Sequence, residues 1–398
     1  MKLAFFTPLN PQKTGISDYS EELLPFLAKG ADIDIYIKDN ITPTTPEIVD
    51  NFSIFPYPQF ARCHQQKPYD LCLYQMGNNT ICHQYMDAFI QTYPGIVTLH
   101  DYALHHFYAE MFADEHRYDE YQQAMETYYG ELGRQIAIRF RQGIRNDYVY
   151  YQLPFYQRVV NPSLGTIVHS SYVKTKLLNY NPAYRVEMIN MGILCPVLER
   201  YNVTELRENY QIEQERFVIA SVGFIIEGKR IRELVHVFAQ FVKDVPDALL
   251  LLVGKESPTF KVRKLLNQLQ LTEHVRITGY VPYEEYFDYI ALSDVCVNLR
   301  YPTVRATSAN ILKIMAFAKP VLVSDLCELL DIPGIACLKI PFDDTEEDRL
   351  LNAFHVLHTE QEYRETLGQQ ARAFVEQHHS MQQAAENYLA FCREIVNS

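Results

Sequence analysis

The stretch 217–241, FVIASVGFIIEGKRIRELVHVFAQF, admits few folds. Its first six residues are a short apolar run with β-branched content, closed by Gly223, as in a strand covered on both faces of a parallel sheet. After Gly228, apolar side chains return at Ile231, Leu234, Val235, Phe238 and Phe241, the stripe of a helix lying on that sheet. Strand, turn and helix in that order aim the free N–H groups and the positive dipole end of the helix at the strand tip, which favours an anion there. Lys229 and Arg230 are expected in the first turn of the helix, where a cation opposes the dipole, so their charge needs a reason outside the helix. A bound phosphate or diphosphate supplies one; a solvated helix start is the plainer alternative. The spacing of Gly223, Gly228 and Lys229 nearly matches the nucleotide triphosphatase P-loop. That loop needs Ser or Thr after the lysine to hold magnesium, and Arg230 stands there, so the P-loop reading fails.

A chain of 398 residues suits two domains of roughly 200 residues each. With 48% hydrophobic and 13% aromatic residues it has the material for well-packed cores and nothing like a disordered tail. The net charge of −13 argues against a general nucleic-acid binder. The opening MKLAFFTPLNPQ has too short an apolar run for a signal peptide, and no stretch reaches the roughly 20 apolar residues of a membrane span. A cytoplasmic protein is expected. The eight cysteines form no CxxC pair and several sit in apolar runs, which reads as reduced core thiols.

Strands and helices alternate along the chain. After a first strand at 3–6, the loop TPLNPQKTGISDYS leads into a helix that Ser17 or Asp18 is placed to cap. Asp32 and Asp34 form a D-x-D triplet on one face of the next strand, read as a solvated face and not as a metal site. Further strands follow, and GIVTLH ends at His100 and Asp101, the carboxyl end of a buried strand, where open α/β sheets place ligands. His100 is a candidate polar contact to substrate. A metal held by His100, His105 and His106 is disfavoured, because adjacent histidines face apart on a helix.

The region 102–160 reads as a helical insertion rich in tyrosine and basic at Arg134, Arg139, Arg141 and Arg145. Packing on its own domain, an acceptor groove, or a surface resting on acidic lipid are the three readings. A polar stretch at 196–214 reads as the linker between a first domain, 1–195, and a second, 215–379. A helix over 380–398 closes the chain. Both halves are α/β, doubly wound parallel sheets with ligand sites at their strand ends, expected to face across a cleft.

In order and spacing, KTGISDYS, YPGIVTLHD, VHSSYVK, GFIIEGKR, LLLLVG, ITGYVP, SDVCVNLRYPT and AFAKPVLVSD resemble the family 4 glycosyltransferases of GT-B architecture, over nearly the whole chain. The resemblance implies two Rossmann-like domains and retaining transfer from a nucleotide-diphospho-sugar to a glycan, lipid-linked or protein acceptor, in cell-surface polysaccharide or glycoconjugate synthesis. It implies no cofactor and no metal, because protein cations and a helix N-terminus neutralise the diphosphate. On this resemblance Lys229 contacts the diphosphate with Arg230 in support, and Gly15 lies under the phosphates. His100 stands near the transferred sugar, Thr307 and Ser308 receive phosphate, and Tyr280 and Val281 lie near the base. Peripheral membrane contact through 102–160 and homo- or hetero-oligomerisation stay open.

The sequence departs from the family at one place. Members carry two glutamates spaced E-x7-E, or a GETS motif, ahead of and within the helix NILKIMAFA. Here Arg305, Ala306, Thr307 and Ser308 precede it, with Ala306 in the place of the GETS glutamate and Lys313 near the second acidic position. Losing such carboxylates removes charge-assisted hydrogen bonds of about 1.5–3 kcal/mol each. Arg305 and Lys313 suit a more anionic donor. A catalytically silent GT-B subunit that binds a partner glycosyltransferase or an acceptor is the alternative.

Overall fold

The computed structural model describes all 398 residues. They form two compact units, one of Met1–Gly192, Val304–Thr307 and Met381–Ser398, the other of Ile193–Thr303 and Ser308–Ser380.

The first unit opens with β1 (Lys2–Phe6), α1 (Gly15–Leu27), β2 (Asp32–Ile37), β3 (Ser53–Pro56), β4 (Leu71–Met76), α2 (Thr80–Thr92) and β5 (Ile96–Leu99). The insertion follows as α3 (His105–Asp114), α4 (Tyr118–Arg141) and α5 (Asp147–Gln152), and the sheet resumes with β6 (Gly165–Val168), α6 (Ser171–Tyr180) and β7 (Val186–Met188). The seven strands are ordered β3-β2-β1-β4-β5-β6-β7 and every neighbouring pair is parallel. Phe6 stacks on Tyr36 and Tyr74 at 5.1 and 4.7 Å, which fastens β1 between β2 and β4.

Several local expectations are corrected. Thr14 caps α1, accepting from the Ile16 N–H, because the helix already starts at Gly15, ahead of Ser17 and Asp18. Asp34 is not solvated: it pairs with Lys2 at 2.8 Å and accepts from the Tyr69 hydroxyl at 2.7 Å. The region 102–160 is broken into separate helices, and α4 bends at Gly130, whose φ of 60° no helix interior holds. All eight cysteines are free thiols, though Cys195 and Cys327 are exposed.

The second unit carries β8 (Val218–Val222), α7 (Ile231–Asp244), β9 (Leu249–Val253), β10 (Val275–Ile277), α8 (Tyr283–Leu292), β11 (Val295–Asn298), α9 (Ala309–Ala316), β12 (Val321–Ser324) and β13 (Leu338–Ile340). Its strands are ordered β10-β9-β8-β11-β12-β13, again all parallel. Ile231, Leu234, Val235, Phe238 and Phe241 are all buried, as the helical stripe of α7 requires. Residues 196–214 are more than a tether. They hold a helix, Val203–Asn209, whose Arg207 is buried, pairs with Asp294 at 2.9 Å and donates to the carbonyls of Leu292, Gln214 and Arg216. The last helix, α10 (Met381–Val396), belongs to the first unit, where it packs along α1. No helix is long and apolar enough to cross a membrane.

Candidate active site

A doubly wound sheet opens a crevice where its strand order reverses, at the carboxyl ends of the two strands involved. In the second unit these are β8 and β11. Gly223 follows β8 with φ of 102°, and a Cβ there would lie 2.4 Å from Lys229 Nζ and 2.9 Å from Asn310 Nδ2. Only glycine satisfies both the backbone and the close approach. Lys229 Nζ donates to the Val222 carbonyl at 3.1 Å and Asn310 Nδ2 to the same oxygen at 3.3 Å. From the end of β11, Arg300 donates to Asn298 Oδ1 at 2.9 Å and to Ser308 Oγ at 2.6 Å. Ser308 in turn caps α9, accepting from the Ile311 N–H. Burial, and then the charge of Arg300, push the Lys229 ammonium down to about 7. Its bonded partner is a backbone carbonyl, not a carboxylate, so a bound oxyanion would relieve the strain on its charge.

Lys229 and Arg230 part company. A short turn over Glu227–Lys229 ends on Arg230 in the left-handed region, φ 52°, and α7 begins only at Ile231. Neither cation is therefore in the first helical turn, as the apolar stripe alone suggested. Arg230 makes a two-pronged bond to Glu346, meets Glu233 at 3.4 Å and lies over the Phe342 ring at 4.6 Å. Its charge is matched by protein carboxylates, whereas that of Lys229 is not.

Lys313 is buried on α9, donates to the Tyr283 hydroxyl and sits over the rings of Tyr283 and Phe287 at 4.7 and 5.9 Å. Tyr283 is the first residue of α8, so this contact fastens the loop that leaves β10. That loop turns at Gly279, with φ of 76°, and carries Tyr280, 58% exposed, and half-buried Val281.

In the first unit the strand order reverses between β1 and β4. Gly15, exposed and with open space around it, starts α1 beyond β1. His100 follows β5 and is buried, its Nε2 2.8 Å from Gln75 Oε1 and its ring 5.4 Å from Tyr19 and 5.1 Å from His169. Burial, then the neighbouring His169 and His83, hold His100 well below the usual histidine value, so it is neutral at pH 7. His83, on α2, is lowered to about 4 by burial, and its Nε2 has no hydrogen-bond partner.

The segment 304–307 groups with this unit. Arg305, at φ 59°, lies over Tyr172 at 5.8 Å, half-buried Ala306 follows it, and the Thr307 hydroxyl donates to the His169 carbonyl at 3.1 Å. The four residues Arg305, Ala306, Thr307 and Ser308, continuous in sequence, are thus divided between the two units. His105 is spent on the Leu153 carbonyl and the Tyr121 hydroxyl, at 2.7 and 2.6 Å, and no three His, Cys, Asp or Glu side chains converge as a metal site would need.

Arg300, Asn310 and His169 were not singled out from the sequence. Arg300 and His169 each follow a buried strand, β11 and β6, so the strand-end rule that selects His100 also reaches them. Asn310 carries no such signal, since its role depends on α9 lying across the tip of β8.

With this geometry in place, the comparisons with known proteins are informative. Residues 202–374 match the family described as glycosyl transferases group 1. A stretch of 163 residues is 23% identical to the alpha-monoglucosyldiacylglycerol synthase of Acholeplasma laidlawii, and the match covers 40% of each chain. Among solved structures, the sucrose-phosphate synthase of Thermosynechococcus elongatus superposes with a TM-score of 0.70 at 18% identity, covering 99% of both chains. Anabaena HepE in complex with UDP-glucose superposes with a TM-score of 0.64 at 16% identity, covering 98% of this chain and 100% of the other. Two parallel sheets of this kind, shared over nearly the whole length of these structures, define the GT-B fold. The match to the glycosyl transferases group 1 is confined to 202–374, most of the second unit.

Proposed function

We propose that the protein transfers a sugar with retention from a nucleotide-diphospho-sugar to a glycan or glycoconjugate acceptor, without a metal. The observation that carries this is Lys229. A lysine held partly buried beside Arg300, at the strand-order reversal of the second sheet, with a carbonyl for a partner, is a preorganised site for the charge that develops on a leaving diphosphate. Ser308 Oγ, bonded to Arg300, and Asn310 extend the polar lining. Arg230 supports the turn through Glu346 and does not itself contact phosphate. Tyr280 offers an exposed ring to the nucleobase, and Lys313 fixes the loop that carries it. In the first unit, neutral His100 serves as a hydrogen-bonding contact to the transferred sugar, and Gly15 leaves room for phosphate beside α1.

Thermal shift with UDP, GDP, ADP and their sugar conjugates tests the reading, with UDP-glucose first because it is named with the Anabaena relative. A nucleotide at about 100 times its dissociation constant stabilises by about 2.7 kcal/mol. Selective stabilisation that persists in EDTA supports the metal-independent site; no response to any nucleotide sinks it. Proton NMR of the product's anomeric centre then decides between retention and inversion.

A further inference from the structure

The insertion between β5 and β6 holds a feature that sugar transfer does not use. Near the end of α4, the side chains of Ile136, Phe140, Ile144 and Val149 wall a cavity of about 170 Å³ whose lining also includes Arg139 and Arg145. The chain is shaped to keep it open. Gly143 takes φ of 82°, and the Ile144 N–H donates to the Arg139 carbonyl at 2.9 Å while the Gly143 N–H donates to that of Phe140 at 3.0 Å. These paired bonds form a left-handed helix stop that turns the chain back on itself. Ile144 is left 60% exposed at the opening, with Tyr148, 52% exposed, four residues on. A largely apolar concavity of this size can accept an apolar group.

The charges around it are as unusual as the opening. The other arginines of the insertion are matched by carboxylates: Arg117 by Glu115 and Glu120, Arg134 by Glu131, Arg141 by Asp119 and Arg158 by Asp87. Arg139 and Arg145, both exposed, have no carboxylate within ion-pairing distance, and Arg145 instead stacks over Phe140 at 4.7 Å. Asp147, nearby in the first turn of α5, pairs with neither. In a chain of net charge −13, two cations left over at the mouth of an apolar cavity select an occupant with an apolar body and an anionic head.

We propose that this cavity binds an anionic membrane lipid, its chain entering between Phe140, Ile144 and Val149 and its phosphate held by Arg139 and Arg145, so that the insertion seats the protein on an anionic bilayer. Charged arginines draw the insertion to the surface, and Ile144 with the cavity supplies the apolar hold.

Co-sedimentation of the full chain with vesicles provides the test. Phosphatidylcholine vesicles containing phosphatidylglycerol are expected to bind it, and pure phosphatidylcholine vesicles to bind at least tenfold more weakly. R139E/R145E should weaken binding to the anionic vesicles about 30-fold, and I144D severalfold. Inorganic phosphate should not compete, whereas decyl phosphate should. Equal binding to both vesicle types, no binding to either, or variants that bind like the parent would overturn the proposal, as would concentration-dependent self-association abolished by I144D. Unchanged circular dichroism and nucleotide-induced stabilisation confirm that the variants fold. Because the readout is lipid binding, failure here leaves the reading of the nucleotide site untouched, and failure there leaves this one.

Discussion

The two sheets obey one topological rule and end in opposite chemistry. Where the second sheet reverses its strand order, the tips of β8 and β11 present cations, Lys229 and Arg300, with glycine clearing the space beside them. Along the carboxyl edge of the first sheet, buried histidines, His83, His100 and His169, crowd together, and burial holds His83 and His100 neutral at pH 7. The shared fold places ligands at strand ends, but the side chains decide what kind. On the proposed function, one edge neutralises a charged leaving group and the other holds hydroxyl-bearing groups without drawing charge to them.

The largest expected effect lies in the first unit. His83 titrates at about 4 when folded and near 6.5 when unfolded, so the unfolded state binds more protons between these values. Stability should therefore fall by about 3 kcal/mol as pH drops from 6.5 through 4. Urea unfolding across that range measures it, and H83N should flatten the curve; an unchanged slope would mean His83 is not held neutral. Next in size, Lys229→Ala should weaken nucleoside diphosphate binding by about 1.5–3 kcal/mol in a calorimetric titration while leaving the circular dichroism spectrum intact. An unaltered affinity would remove the contrast between the two edges.

A third test concerns pH. Bound diphosphate raises the lysine's pKa from about 7, so nucleotide affinity should be highest below pH 7 and decline toward pH 8.5 by up to about tenfold per unit. K229R should bind with little pH dependence. The smallest effect is expected from Tyr283→Phe, which removes one acceptor of the Lys313 ammonium but keeps the aromatic face, and should cost about 0.5–1.5 kcal/mol in urea unfolding. No measurable loss would mean that this hydrogen bond does not hold Lys313 in place.

The alternation of strands and helices was legible because each buried strand is a continuous apolar run and each helix carries its stripe. His100, Gly223 and Lys229 were legible for a related reason, since strand ends are marked in the sequence itself. What escaped depends on contacts distant in the chain. Arg230 was grouped with Lys229 by adjacency, but Glu346, more than a hundred residues on, claims it. Arg207 made a polar stretch into a packed helix through carbonyls that no local pattern announces. Lys313 reads as a cation suited to a more anionic donor until Tyr283 and Phe287 are seen around it.

The assignment of α10 to the first unit has a consequence for how the protein is made. Tyr388, Leu389 and Phe391 of this helix are buried, and Gly30 and Gly165 lie so close that a Cβ on either would strike Leu389 or Phe391. During synthesis the second unit's 308–380 emerges before those side chains do. The first sheet must wait, with its α1 face uncovered, until residues 381–398 arrive. At about 5–20 residues per second that delay is of the order of ten seconds or more. A nascent chain stalled before residue 381 should accordingly be the form that chaperones hold longest.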